Sequence, residues 1–151
     1  MVNKLIKLNA ILRLYHQNFL NLHWNSAGEE FNDAHKNIST DYYELCDKYI
    51  DTTAEMICRL GGNPLNYIQV IEFLTNQDSK YFVTDSSKMY ERKDIIKWSD
   101  VMLGDILKNI EEVLEDDEAE DSCNIGIKSD LEAMHSEFDL QYRYINKRRM
   151  M

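Results

Sequence analysis

The sequence predicts an all-α protein, a four-helix bundle with a long connection between its second and third helices. Three observations carry that expectation. One proline and five glycines in 151 residues are too few breaks for a multi-stranded β protein and favour a few long helices. Apolar residues recur in steps of three and four over four separate stretches, the period of a helix face. Clusters of turn-forming residues divide those stretches from one another.

The first stretch carries Leu5, Leu8, Leu12, Tyr15, Phe19 and Leu22, one stripe of a helix from about Asn3 to about Trp24, stopped by Asn25-Ser26-Ala27-Gly28. The second starts near Glu29 and carries Phe31, Ala34, Ile38, Tyr42, Leu45, Tyr49, Ala54, Ile57 and Leu60. Gly61-Gly62-Asn63-Pro64 stops it, because glycine supplies a left-handed cap and proline cannot continue the ladder. The apolar segment from Tyr67 to Leu74 fits a strand or a two-turn helix by pattern alone, and a polar stretch from Asn76 to Lys93 follows. A third long helix is expected from about Lys93 to Glu115, with Ile96, Ser99, Leu103, Ile106, Ile110 and Val113 on one face. After the acidic run from Glu111 to Asp121 and a break at Cys123-Asn124-Ile125-Gly126, the last helix carries Ile127, Leu131, Met134, Phe138 and Ile145. It ends in Lys147-Arg148-Arg149, cations that suit the negative end of the helix dipole. With no internal repeat and no low-complexity linker, residues 1–151 read as one domain.

Hydrophobic residues at 44% and charged residues at 29% place the chain among soluble globular proteins rather than disordered ones. Met1-Val2-Asn3-Lys4 opens no apolar leader, and no run approaches a membrane span, so a cytoplasmic location is expected. Cys46, Cys58 and Cys123 are odd in number and lack metal-ligand spacing, and read as reduced thiols. The formal net charge of −10 gives no bulk attraction for nucleic acid; it serves solubility or gathers cations.

His23 ends the first helix and His35 lies near the start of the second. Asp47, Asp51 and Glu55 follow at intervals of four, on one helix face. Imidazoles with carboxylates suit iron or zinc, although a carboxylate row is equally the pattern of a solvated face.

The run Asn18-Phe19-Leu20-Asn21-Leu22-His23-Trp24-Asn25, continuing through Gly28, Phe31 and His35 to Asp51-Thr52-Thr53-Ala54-Glu55 and Leu60-Gly61-Gly62-Asn63-Pro64, resembles the Dps family, the miniferritins of the ferritin-like superfamily. The motifs cover about a third of the chain. The resemblance implies a ferritin-like four-helix bundle with a short helix in the long connection, which favours helix for Tyr67 to Leu74 at a dimer interface. It implies an iron-binding ferroxidase and store that protects against oxidative damage, a homo-oligomeric hollow shell, expected to be a dodecamer, assembled through two-fold dimers. The ferroxidase site it implies takes His23 and His35 from one subunit and Asp51 and Glu55 from its two-fold partner, with Trp24 alongside. Peroxide, or more slowly oxygen, is the implied electron acceptor. Two irons occupy the site, with zinc as a possible substitute.

Three positions depart from the family pattern. Ser39 stands where an aspartate usually follows the second histidine by four residues, and Met56 stands where the family has arginine. His35 and Asp51 are separated by one residue more than the family spacing, which turns everything after it by roughly 100°. A π-bulge between His35 and Asp51 would absorb that residue and could swing Asp41 into the vacant ligand position. These departures leave a second expectation open, a ferritin-like structural or binding protein without efficient oxidation. A separate Glu-x-x-His pair, Glu132 and His135, offers an intra-subunit metal site with Glu44, Asp47 and His16, or an ordinary surface pair. The acidic run is expected either at a pore that draws in Fe²⁺ or as a solvated loop. DNA binding is not expected, because no lysine-rich tail precedes the first helix and Lys147-Arg148-Arg149 is short.

Overall fold

The computed structural model describes residues 1–78 and 80–151. Among these the chain forms five helices, with one isolated bridge between Ser26 and Tyr90. Helix α1 is Val2–Trp24. Helix α2 spans 31–59 in three continuous pieces, Phe31–Asp33, a π-helical turn at Ala34–Ile38, and Ser39–Arg59. Helix α3 is Tyr67–Thr75 and α4 is Arg92–Leu114. Helix α5 spans 125–150 as Ile125–Asp139, a second π-helical segment Leu140–Asn146, and Lys147–Met150. Short 3₁₀ turns at Asp117–Glu120 and Ser122–Asn124 join α4 to α5. No described helix is long and apolar enough to cross a membrane.

Helices α1, α2, α4 and α5 enclose one core, and α3 lies across α1 within the long crossover. The stripe expected on α1 is buried at every position, as is the stripe on α4. Burying the apolar face of each helix, at about 25 cal/mol per Å² removed from water, is what holds the bundle together. Asn9 ties α1 to α2 inside it, donating to Thr53 Oγ1 and to the Ile50 carbonyl, both at 2.9 Å. Met56 belongs to this core, fully buried, so the residue in the arginine position packs inward.

The end of α2 shows why Leu60-Gly61-Gly62-Asn63-Pro64 is a stop. Gly61 adopts a left-handed φ of 81°, its N–H bonds the Cys58 carbonyl at 3.0 Å, and the Gly62 N–H bonds the Ile57 carbonyl at 2.9 Å, the two bonds of a Schellman cap. Gly62 is needed for a different reason: a Cβ there would sit 2.9 Å from Val2 Cγ1 and 3.0 Å from Ile57 Cγ2. Gly62→Ala is therefore expected to destabilise the fold by about 1–3 kcal/mol through overpacking of α1 against α2, read as a lower urea midpoint with an unchanged slope. The segment left open between strand and helix is helical, with Asn66 capping α3: its side chain accepts from the Gln69 N–H at 2.9 Å and the Gln69 side chain accepts from the Asn66 N–H at 3.0 Å.

Two expectations are corrected. Ile145 does not continue the core stripe of α5; it is half-buried, and Asn146 takes the buried position. The wide π turns of 140–146 rotate the helix away from its 3.6-residue register, so counting on from Phe138 picks the wrong side chain. The π turn of α2 falls on His35 itself, and it does not bring Asp41 toward the histidines. Asp41 Oδ2 lies 3.9 Å from Arg149, beside the groove between α2 and α5.

Candidate metal centre

His23 occupies the last turn of α1 and His35 the first turns of α2, and the antiparallel packing of the two helices lays the rings face to face, with centroids 3.8 Å apart and planes within 12°. Each imidazole is clasped by the other's backbone. His23 Nδ1 lies 2.7 Å from the His35 carbonyl oxygen, and His35 Nδ1 lies 2.8 Å from the His23 carbonyl oxygen. A carbonyl oxygen only accepts, so both Nδ1 atoms carry the proton, and both Nε2 atoms keep a lone pair for a metal. That is the way metal-binding histidines are commonly oriented from behind.

The π turn makes the clasp possible. The Ser39 N–H bonds the Ala34 carbonyl, five residues back, instead of the His35 carbonyl four back. The His35 oxygen is thereby free of its usual helical donor and receives His23 Nδ1–H, together with the Thr40 hydroxyl at 2.8 Å. Ser39, fully buried, donates its hydroxyl to the Ala34 carbonyl at 2.8 Å. Both hydroxyl oxygens stand 3.3 Å from His23 Nδ1. Phe31 stacks on His35 at 4.9 Å and Tyr43 meets His23 edge-on at 5.3 Å, so aromatic walls fix the pair from two sides.

Burial lowers the pKa of His23, the bond to the His35 carbonyl partly opposes it, and the neighbouring imidazole lowers it further. Burial also lowers that of His16, against the opposing pull of Asp47. Both rings are neutral near pH 7, as metal binding requires. Their native values lie below the ordinary 6.5, so the unfolded chain takes up protons first as pH falls. The stability these groups support is complete above about pH 6.5 and declines below it, through the depressed native values. The metal-free protein is accordingly expected to lose urea resistance between pH 7 and pH 5, and a His16→Gln/His23→Gln variant to lose less over that interval.

Asp51 and Glu55 lie together on the exposed face of α2. At 1.5 Å per residue they stand about 24–30 Å along α2 from His35, so one chain cannot bring the two pairs together. Among the described residues no three histidine, cysteine, aspartate or glutamate side chains converge as metal ligands. Trp24 is exposed at the end of α1.

The Glu-x-x-His pair does not build a centre inside the bundle. His135 Nε2 sits 3.1 Å from Glu111 Oε1 on the outer face between α4 and α5, Glu132 is exposed, and His16 faces Asp47 elsewhere. The interior is filled instead by side chains such as Leu12, Phe19, Met102 and Leu103. In the acidic run, Asp116 is taken up structurally: it caps the turn at the Glu118 N–H and pairs with Lys4 and the Met1 amino group at 3.0 and 3.1 Å. Those contacts hold its carboxyl well below the usual range. Cys46 is buried and Cys58 and Cys123 are exposed, all three as free thiols.

Over 106 residues the chain is 31% identical to a DNA protection during starvation protein of Agrobacterium fabrum, a match covering 70% of this chain and 62% of the relative. A protein of the same name from Porphyromonas gingivalis is 40% identical over 75 residues, 47% of this chain and 46% of that one. The chain thus matches less than two thirds of the length of these curated relatives. In structure it superposes on CAIP of Helicobacter cinaedi with a TM-score of 0.85 at 18% identity, covering 99% of both chains. It superposes with a TM-score of 0.81 on a Dps protein of Vibrio cholerae, described as one of the ferritin-like diiron-carboxylate proteins, at 17% identity over 99% of this chain and 88% of that one. The chain is Dps-like. No family model matches the sequence. The Dps-like relation rests on the sequence matches, and the structural ones establish the ferritin-like four-helix fold.

The clasp itself was not visible in the sequence. Its only trace is the extra residue between His35 and Asp51, together with two hydroxyl residues, Ser39 and Thr40, four and five positions after His35.

Proposed function

We propose that this protein binds Fe²⁺ at a site shared by two copies of the chain and oxidises it, with His23 and His35 supplied by one copy and Asp51 and Glu55 by the other. The observation that carries this reading is the reciprocal clasp, which commits both Nδ1 atoms and leaves both Nε2 atoms as ligands, with no acid among the described residues of the same chain to complete the set. An antiparallel second copy supplies the acids from the far part of its own α2. Exposed apolar side chains support such a pairing: Tyr67, 73% exposed, with Ile68 and Ile71 on α3, and Trp24 beside the histidines.

Iron is the substrate, and it supplies the redox chemistry. The two imidazoles and the two carboxylates hold and orient it, and the carboxylates offset its charge. Two Fe²⁺ deliver two electrons to one peroxide, which with two protons leaves as water, so no hydroxyl radical forms. Dimers of this kind assembling into a closed dodecameric shell would retain the ferric product, and the exposed acids of the 115–121 run would add a negative potential that attracts incoming cations. This amounts to an iron-binding, protective role.

The test is growth of near-ultraviolet absorbance when Fe²⁺ and peroxide are added to the assembled protein, with His23→Ala as control. A second reading has its own observation. Ser39 and Thr40 hydroxyls, not a carboxylate, face His23 from the same chain, so the site has one acid fewer. If metal binds at the histidines but Fe²⁺ is oxidised no faster than with His23→Ala, the protein is a metal-binding bundle without oxidase activity.

A further inference from the structure

His16 and Asp47 form a pair that the site above does not use. Antiparallel packing of α1 on α2 puts His16 Nε2 3.7 Å from Asp47 Oδ1. That is too long for a hydrogen bond, and burial keeps the ring neutral, so it is not an ion pair near pH 7 either. The distance is close to the edge between two ligands of one tetrahedral ion, roughly 3.4 Å for metal–ligand bonds of about 2.1 Å. Asp47 is 73% exposed and has no hydrogen-bond donor among the described residues. Tyr43 packs edge-on against both His16 and His23, at 6.3 and 5.3 Å between centroids, and so fixes the two imidazoles on one face of the α1–α2 pair.

The position of this pair follows from symmetry, resting on the two-copy site proposed above. A two-fold axis that sets the His35–Thr40 turn of one α2 against Asp51 and Glu55 of the other makes each α2 cross its own copy about midway, near residue 45. Asp47 lies about 3 Å along the helix from that crossing. His16 is level with Asp47 on the neighbouring helix.

We infer that His16 and Asp47 of one chain meet His16 and Asp47 of its two-fold copy around the axis and bind one divalent transition-metal ion through two imidazole nitrogens and two carboxylate oxygens. Such a set suits Zn²⁺ or Fe²⁺, one ion per dimer. Each chain holds only half of the ligands, so the ion also links the two copies.

The probe is Zn²⁺ soaked into crystals of the assembled protein and located by anomalous scattering, with the bound metal per chain counted by calorimetry. The expected result is a peak on the two-fold axis beside His16 and Asp47, separate from the peaks at His23 and His35. His16→Ala and Asp47→Asn should each abolish the axial peak and lower the stoichiometry by half a Zn²⁺ per chain while the His23 peaks persist. Filled His23 sites with an empty axis, or a stoichiometry unchanged by His16→Ala, would overturn this inference alone. Empty axis and empty His23 sites together would overturn both it and the shared-site reading.

Discussion

Glu55→Ala is expected to slow Fe²⁺ oxidation by about 100-fold or more, at least the upper end of what removing a group behind a metal ligand costs, although Glu55 touches neither histidine of its own chain. It lies on the exposed face of α2, about 30 Å along the helix from His35. Since Glu55 is exposed, removing it leaves the core intact, and the urea midpoint of the variant should match the parent within about 0.5 kcal/mol. Glu44→Ala provides the comparison: it removes an equally exposed carboxylate from α2, but one that borders the groove toward α5. Initial rates with peroxide separate the two. A normal rate for Glu55→Ala would remove the acids from the site.

Tyr42→Ala is expected to be the most damaging single change to the fold. The ring is fully buried and packs on Phe19 with centroids 5.4 Å apart. Its hydroxyl donates to Asn146 Oδ1 at 2.9 Å and accepts from Arg149 at 2.9 Å, while Asn146 Nδ2 donates to the Ile96 carbonyl at 3.1 Å. Burial pushes the phenol up to about 12, so it remains a donor. Tyr42 thus joins α2 to α1 and α5, and Asn146 carries the link on to α4. Truncation should cost about 3–5 kcal/mol for the cavity, a large share of the roughly 5–15 kcal/mol that stabilises a domain of ordinary size. Tyr42→Phe keeps the ring and strands the buried Asn146 oxygen, at about 1–3 kcal/mol. Urea denaturation of both variants apportions ring and hydroxyl; equal losses would assign the effect to the hydrogen bonds.

What the sequence could and could not disclose divides along one physical line. Where the helix keeps its 3.6-residue period, as in α1 and α4, the apolar stripe from Leu5 to Leu22 and from Ile96 to Val113 identifies the buried face residue by residue. Where the backbone slips to a five-residue hydrogen bond, the stripe misleads. In the π segment of α5 Asn146 displaces Ile145, whereas in the regular stretch of α2 after its π turn the buried row runs Tyr42, Cys46, Tyr49, Thr53 and Met56, and Leu45 and Ala54 flank it half-buried. The extra residue after His35 signalled a π turn, but not what the turn does, because freeing the His35 carbonyl for His23 is a backbone event without a side-chain signature. The same slip misled the expectation for Asp41, which the helix carries toward Arg149. His16 and Asp47 are far apart in sequence and become a pair only through antiparallel packing.

The central claim is that each metal site takes its histidines from one chain and its acids from another. Co-expressing His23→Ala chains with Glu55→Ala chains tests it most directly. Each variant alone destroys both sites of its dimer, but a mixed dimer regains one intact site, made of the histidines of the Glu55→Ala chain and the acids of the His23→Ala chain. Random pairing predicts recovery of about a quarter of the parent Fe²⁺ oxidation rate. A mixed preparation as inactive as either variant alone would contradict the shared site.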